Sequence, residues 1–590
     1  MGGSSTNMTP MTGWLPGPSV AICVALLLRS MVGLWPYSGQ GERPMYGDYE
    51  AQRHWMEITT AFPLHLWYRF DLEYWGLDYP PLTAYVSWAC GQVSSLVEPA
   101  SMALGLSRGF ETPSHKAFMR LTVLLLDFTI FFPAAAGLTT RLARSSPRRT
   151  GLPRRSWESV ATSSFILVLL QPSLVLIDHG HFQYNSVCLG LAMAAAWALM
   201  SRNHRGELLG SFLFSLSLNF KQMALYYAPA FFFFLLASCI SSGGADGQGG
   251  GPVGCKSLTP RWTGVFRRVI QLGLVVLLTF GALWAPFCLL PGGGGDDADA
   301  DADATGDAGG CLASVGQATL RLFPFSRGLF EDKVANLWFC ADVVLKLRRR
   351  MAVPVLAKLA LLSTLGSLVP VGAELLRPGR ALTARRLMLA LFNSSMAFFL
   401  CSFQVHEKSL LLPLCPIAFL WGDAPLFTTW VQVIGMFSMT PLLSREGLMV
   451  PCLVCTMLYV GASVVSHPHL GLLGICPPRC ALFRTNAVIC ETSAFPYGRY
   501  LTRKSLRAMV ALSLGGVLIL LALEAMIPPP DRLPFLHPTL NAVYSCGNLV
   551  AAYVIGVCWQ WQEGERGQVG VVGTGSGGDS TGARDTKKGR

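Results

Sequence analysis

Charge is scarce in this chain. Only 14% of its 590 residues are Asp, Glu, Lys or Arg, against about a quarter in an ordinary soluble domain, and that scarcity excludes a free-standing globule in water. A mean hydropathy of +0.43 agrees. A cysteine framework is also missing: the 17 cysteines are odd in number and fall mostly inside apolar runs, where a thiol packs as a small hydrophobe. Whether Cys311 and Cys340 pair stays open. Cys452-x-x-Cys455 has the spacing of half a zinc site but no second pair, so packing accounts for it. No small-residue cleavage site follows the first apolar stretch, residues 14–35, which is therefore expected to remain as a span. Nor does the hydropathy pattern repeat internally, as it does in many transporters.

What is present is a series of apolar stretches separated by basic clusters. The stretches lie near 14–35, 117–138, 158–178, 184–201, 207–221, 222–241, 268–290, 353–375, 387–403, 409–422, 427–444, 449–466, 508–527 and 540–560. They predict an all-α polytopic membrane protein of about 14 transmembrane helices. The formal net charge of +12 sits in short groups between them, the pattern of cytosolic anchoring loops rather than of a nucleic-acid surface.

Those groups set the orientation. Arg141, Arg144, Arg148, Arg149, Arg154 and Arg155 place the loop between the second and third spans in the cytosol. Residues 36–116 then form one long non-cytosolic loop, with the moderately apolar 82–106 interfacial or re-entrant, and 291–352 form a second. Residues 334–347 are expected as a surface helix there, at the cost of leaving Lys346, Arg348, Arg349 and Arg350 on the wrong side. Residues 1–560 make up the membrane domain and 561–590 a disordered cytosolic tail, so both termini face the cytosol. The closing Lys587-Lys588 resembles a dilysine retrieval signal or is simply a solvated tail.

Threaded this way, polar clusters from distant parts of the chain meet on the non-cytosolic face. The first loop carries Tyr46-Gly47-Asp48-Tyr49-Glu50, followed on one helical face by Arg53, His54 and Glu57, and later Asp78 and Tyr79. Asp48 lies in the positive field of a helical first turn, where it is either an N-cap or a proton acceptor. Asp178, His179, His181 and Gln183 end the third span, as a weak metal-site spelling or as capping and interhelical hydrogen-bonding groups. Lys221 ends the fifth span and either snorkels or contacts a ligand. Arg327 and Lys333 lie in the second long loop. His406 and Lys408 follow the ninth span, as interfacial anchors or ligand contacts. The D-x-D spellings in 296–303 sit among Gly and Ala repeats and read as a disordered acidic insert.

Several of these runs carry a family resemblance. Tyr46 through Thr59, Tyr74-Trp75-Gly76-Leu77-Asp78-Tyr79-Pro80-Pro81, Leu176 through Val187, Phe220-Lys221-Gln222, Glu331 through Asn336 and Phe403-Gln404-Val405-His406-Glu407-Lys408 closely resemble the endoplasmic-reticulum glucosyltransferases that use dolichyl-phosphate-glucose. The likeness spans about 35–410 and thins afterwards. The spellings Glu-Ala-Gln-Arg-His-Trp and Tyr-Trp-Gly-Leu-Asp-Tyr-Pro-Pro favour the branch adding the first glucose over the branch adding the second.

The resemblance implies a GT-C architecture of glycosyltransferase family 57, with a lumenal active site. Its implied chemistry is inverting transfer of glucose to a mannose of a dolichyl-pyrophosphate-linked oligosaccharide in N-glycan precursor assembly. It implies Asp48 as the base. Candidate donor-phosphate and substrate contacts are His406, Lys408, Arg327, Lys333, Lys221, Arg53, His54, Glu50, Asp78, Tyr79, Asp178, His179, His181 and Gln183. Cations near the leaving phosphate would take the place of a metal, so neither metal nor cofactor is expected. A lipid or sugar transporter is the alternative from another class.

Overall fold

The computed structural model describes residues 17–145, 154–242, 262–289, 311–322, 333–466 and 502–572. The acidic run 296–303, Arg327 and the Lys587-Lys588 pair lie outside the described residues.

Every secondary-structure element among the described residues is a helix, and each of the fourteen apolar stretches is wholly or largely helical. Among the described residues eight helices are long and apolar enough to cross a membrane: Pro113–Arg144, Trp157–Phe182, Gln222–Ser241, Trp262–Trp284, Val353–Leu375, Met449–Ser466, Lys504–Met526 and Leu536–Glu565. Pro18–Gly33 and Asn185–Leu199 are shorter apolar helices. Leu411–Ala418 has only 8 residues, about 12 Å of helix, too little to cross by itself. The 334–347 stretch is helical over Leu337–Leu345 and stops at Lys346, whose φ is +53°.

Local sequence sets many of the boundaries. Proline opens helices at Pro18, Pro81, Pro113 and Pro425, where its missing N–H has no partner to lose. The side chains of Thr112, Asn203, Thr383 and Thr502 accept hydrogen bonds from the first turns they precede.

Burial sorts the helices into two layers. Trp157–Phe182, Asn185–Leu199, Ala384–Cys401, Leu411–Ala418 and Pro425–Ser438 are enclosed on nearly every face and form the centre. The 262–284, 353–375 and 503–526 helices instead leave Ile270, Leu277, Leu362, Val369, Leu512 and Leu518 bare. Contiguous exposed faces of this size are costly in water and free in hydrocarbon, so these faces meet lipid.

Several charges inside the body meet an opposite charge. Arg29 meets Asp127 at 2.5 Å, and His179 reaches the same Oδ2 at 3.0 Å. Arg386 meets Glu374 at 3.0 Å. The boundary expected at 560 is moved here: the helix Leu536–Val572 runs twelve residues beyond it, and the rest of the expected tail, 573–590, lies outside the described residues. Its extension has partners, with the Trp561 indole donating to the Pro370 carbonyl at 3.1 Å and Glu563 meeting Arg385 at 3.3 Å. Cys340 is a free thiol, so it is not paired with Cys311, whereas Cys288 is disulfide-bonded.

Candidate active site

Asp48 owes its position to a sharp turn. Tyr46 and Gly47 both have positive φ, +56° and +68°, and a Cβ on residue 47 would stand 2.7 Å from the Ser38 carbonyl carbon. Only glycine fits there. The turn starts the helix Gly47–Ala61 and sets Asp48 in its first turn.

Three donors from distant segments converge on one oxygen of Asp48. His181 Nε2 lies 2.9 Å from Oδ2, Lys408 Nζ donates to it at 2.5 Å, and the Gln183 side-chain amide donates to it as well. The other oxygen, Oδ1, has no hydrogen-bond partner among the described residues, and the side chain is 22% exposed. Burial pushes the carboxyl pKa up, but the charges of Lys408 and His181 overcome it and hold Asp48 well below the usual carboxylate range. Burial likewise pulls the Lys408 ammonium down, and its pairing with Asp48 carries it above its ordinary value.

His181 and Gln183 are placed by a π-helical turn, Ile177–Phe182, that closes the helix Trp157–Phe182. Such widened turns are frequent at functional sites. Here Phe182 takes φ +89° and Gln183 is extended, so both polar side chains face Asp48. A second layer holds them. Lys221 Nζ donates to Gln183 Oε1 at 3.0 Å and to Asn185 Oδ1 at 2.6 Å, and stands 4.9 Å from the centre of the Tyr79 ring. The Tyr79 hydroxyl approaches Gln183 Oε1 at 3.5 Å, and Gln222 donates to the Asp78 carbonyl at 3.3 Å. Segments some 130 to 360 residues apart thus meet at one end of the bundle.

Glu446 belongs to this cluster and was not among the sequence candidates. Its Oε1 lies 2.6 Å from His181 Nδ1, so the imidazole is held between two carboxylates. Lys408 Nζ also stands 3.1 Å from His181 Nε2. In sequence Glu446 is one acid in a short Arg-Glu-Gly turn between apolar spans, with nothing to separate it from a solvated loop residue.

Other candidates are placed elsewhere. Glu50, Arg53 and His54 do share a helical face with Glu57, but that face is turned inward. Arg53 makes a two-point contact with Glu50 at 2.6 and 2.7 Å, meets Glu57 at 2.8 Å, and donates to the Ser101 carbonyl and Ser107 hydroxyl, each at 2.7 Å. His54 bridges Glu57 and Asp71 at 2.9 and 3.1 Å. All four side chains are buried, and their contacts tie the first loop together. Asp178 caps the helix Asn185–Leu199, accepting from the backbone amides of Asn185 and Ser186 at 3.1 and 2.7 Å. His179 is engaged with Asp127. The Lys333 ammonium lies 3.7 Å from the centre of the Phe535 ring. His406 is half-buried in the extended stretch two residues before Lys408. Among the described residues no group of three or more His, Cys, Asp or Glu is arranged to hold a metal ion.

The arrangement can do two things at once. A carboxylate with one free oxygen accepts a proton, and a partly exposed ammonium beside it attracts an anion. A helical body in the bilayer with such a cluster at one end, assembled by its first long loop, defines a polytopic membrane enzyme. The chain belongs to the ALG6, ALG8 glycosyltransferase family, whose model matches residues 21–555. It is 36% identical over 541 residues to the Dolichyl pyrophosphate Man9GlcNAc2 alpha-1,3-glucosyltransferase of Gallus gallus, covering 90% of this chain and 93% of that one. Its likeness to the Saccharomyces cerevisiae protein of the same name is also 36%, over 93% of this chain and 91% of the relative. The protein of Dictyostelium discoideum called a probable enzyme of this kind is 40% identical over 74% of this chain and 76% of its own.

Proposed function

We propose that this chain is an inverting α-1,3-glucosyltransferase. It moves glucose from dolichyl-phosphate-glucose to the terminal mannose of the nine-mannose dolichyl-pyrophosphate-linked oligosaccharide, in the endoplasmic-reticulum membrane with its site facing the lumen. Family membership and the names of relatives matched over most of their length support the reaction class and acceptor. The spellings around Glu50 and Tyr74 support the first-glucose branch, and the basic clusters support cytosolic termini.

One observation carries the mechanism: Asp48 is gripped through Oδ2 by three donors while Oδ1 stays open. In single-displacement inversion a base takes the acceptor proton as the hydroxyl attacks the anomeric carbon opposite the leaving group. Asp48 Oδ1 accepts the proton of the mannose 3-hydroxyl, that oxygen bonds to the glucose anomeric carbon, and the bond to dolichyl phosphate breaks. The phosphate leaves as an anion and needs no proton. Lys408, 21% exposed, with His406 beside it, meets the charge that develops there. This supply of cations makes a metal dispensable in the proposed step, so a chelator leaves the rate unchanged. Glu446 acts through His181: by holding Nδ1 it keeps Nε2 aimed at Asp48, which makes it a positioning residue.

Purified protein given dolichyl-phosphate-glucose and unglucosylated lipid-linked oligosaccharide should yield the one-glucose product. Transfer only to an acceptor that already bears one glucose would assign the second-glucose branch. No transfer, with lipid movement instead, would make the protein a transporter.

A further inference from the structure

The end of the bundle remote from Asp48 holds a cavity of about 920 Å³. Helices that build the site line this cavity with their opposite ends. The helix Asn185–Leu199 starts beside Asp178 and runs to Met200 at the cavity, while His204–Phe220 starts near the cavity and ends next to Lys221. Ala384–Cys401 opens on the cavity and leads to Lys408. At 15 to 18 residues, these helices separate the two places by roughly 25 Å.

Four arginines line the cavity: Arg141, Arg144, Arg202 and Arg380. No carboxylate among the described residues pairs with any of them. Arg141 donates to the Trp197 carbonyl at 2.8 Å, Arg380 donates to the Gly564 carbonyl at 3.2 Å, and Arg144 lies 4.6 Å from the centre of the Trp157 ring. The one acid in the lining, Glu207, is already engaged by His204, Ser238 and Arg268. Unneutralised guanidinium groups gathered at helix ends favour a phosphate-bearing ligand. The remaining wall is largely apolar, with Phe234 and Leu382, and the space far exceeds one phosphate ion. Two of the lining helices, Pro113–Arg144 and Gln222–Ser241, are membrane spans by length and composition, so the cavity lies at the level of lipid headgroups.

We propose that this cavity binds an anionic phospholipid, with the headgroup phosphate among Arg144, Arg202 and Arg380 and the acyl chains along the Phe234 side. Basic pockets between membrane helices take such headgroups through charge and bidentate hydrogen bonding. The site is separate from the Asp48 cluster, and its assignment does not depend on the transfer reaction.

Binding of dioctanoyl phosphatidic acid to the full chain in a neutral detergent tests this, with dioctanoyl phosphatidylcholine and inorganic phosphate as parallel arms. Phosphatidic acid should bind saturably and more weakly as salt is raised. Arg144→Gln combined with Arg202→Gln should weaken binding by about tenfold or more, while Arg144→Lys with Arg202→Lys should retain most of it. Both arginines are exposed, and glucosyl transfer by the glutamine variant should match wild type, which reports intact folding. Unchanged affinity in the glutamine variant would overturn the site. Equal binding of phosphatidylcholine would overturn the charge argument, and inorganic phosphate binding as tightly as the lipid would overturn the lipid assignment.

Discussion

Asp48 and Lys408 stand 360 positions apart in the chain and meet at 2.5 Å. The contact ties the first loop to the turn that follows the helix Ala384–Cys401, and it pairs the proposed base with the proposed phosphate ligand. With no phosphate near, Lys408 neutralises Asp48. A donor phosphate competes for the ammonium, so its arrival loosens the grip on the base when the sugar is in place.

Asp48→Asn keeps the size and hydrogen-bonding shape of the side chain but cannot take up the acceptor proton. Transfer should fall by roughly 10²–10⁴-fold while the donor KM stays close to wild type. Rates of one-glucose product formation at saturating donor decide the matter. Near-normal turnover would remove Asp48 from the base role.

Lys408→Met removes the proposed leaving-group cation and a charge that lowers Asp48. Two effects follow. The donor KM should rise, and the acid limb of the kcat/KM profile should move to higher pH. The sign comes from the carboxylate being the working form: burial raises its pKa, Lys408 and His181 bring it down, and removing Lys408 lets it climb. Activity then fails earlier as pH falls. An acid limb that stays in place would show that Lys408 does not control the base.

Glu446→Gln leaves a hydrogen-bond partner for His181 Nδ1 but removes the charge. Turnover should drop about tenfold, the lower end expected when an orienting group behind an acid or base is lost, with the donor KM unchanged. A purely structural role would change expression and thermal stability along with kcat. Glu446→Asp, which restores the charge on a shorter arm, should recover part of the loss.

Glu446 also marks where sequence reading stops. The helical body was legible because bilayer helices need long apolar runs, and all fourteen such runs are wholly or largely helical. The Tyr46-Gly47-Asp48 turn was legible because glycine before an acid at a helix start is locally determined. Spacing also put Glu50, Arg53, His54 and Glu57 on one face. Which way that face turns depends on Ser101, Ser107 and Asp71, residues tens of positions away that i, i+4 spacing does not reveal. The same limit applies to Asp178 and His181. They are three residues apart and similarly polar, yet a single π-turn sends one to cap a helix and the other to Asp48.

Glu57 gives the last prediction, on stability rather than rate. Burial raises its pKa, but hydrogen bonding from His54, the charge of Arg53 and the Gly105 amide bring it down to about 2, against about 4.3 for a free glutamate. A folded-state pKa below the unfolded one means a stabilising contribution that is fully present above about pH 4.3. That contribution is lost as pH falls toward 2. Glu57→Gln removes it at every pH and leaves the buried Arg53 charge partly unpaired, a change that costs about 3–5 kcal/mol in comparable sites. In thermal unfolding at pH 7 the variant should melt well below wild type, and the gap should narrow as pH is taken from 4.5 to 2.5. Equal melting temperatures at pH 7 would mean that this ion network does not hold the first loop, and the positioning of Asp48 would need another origin.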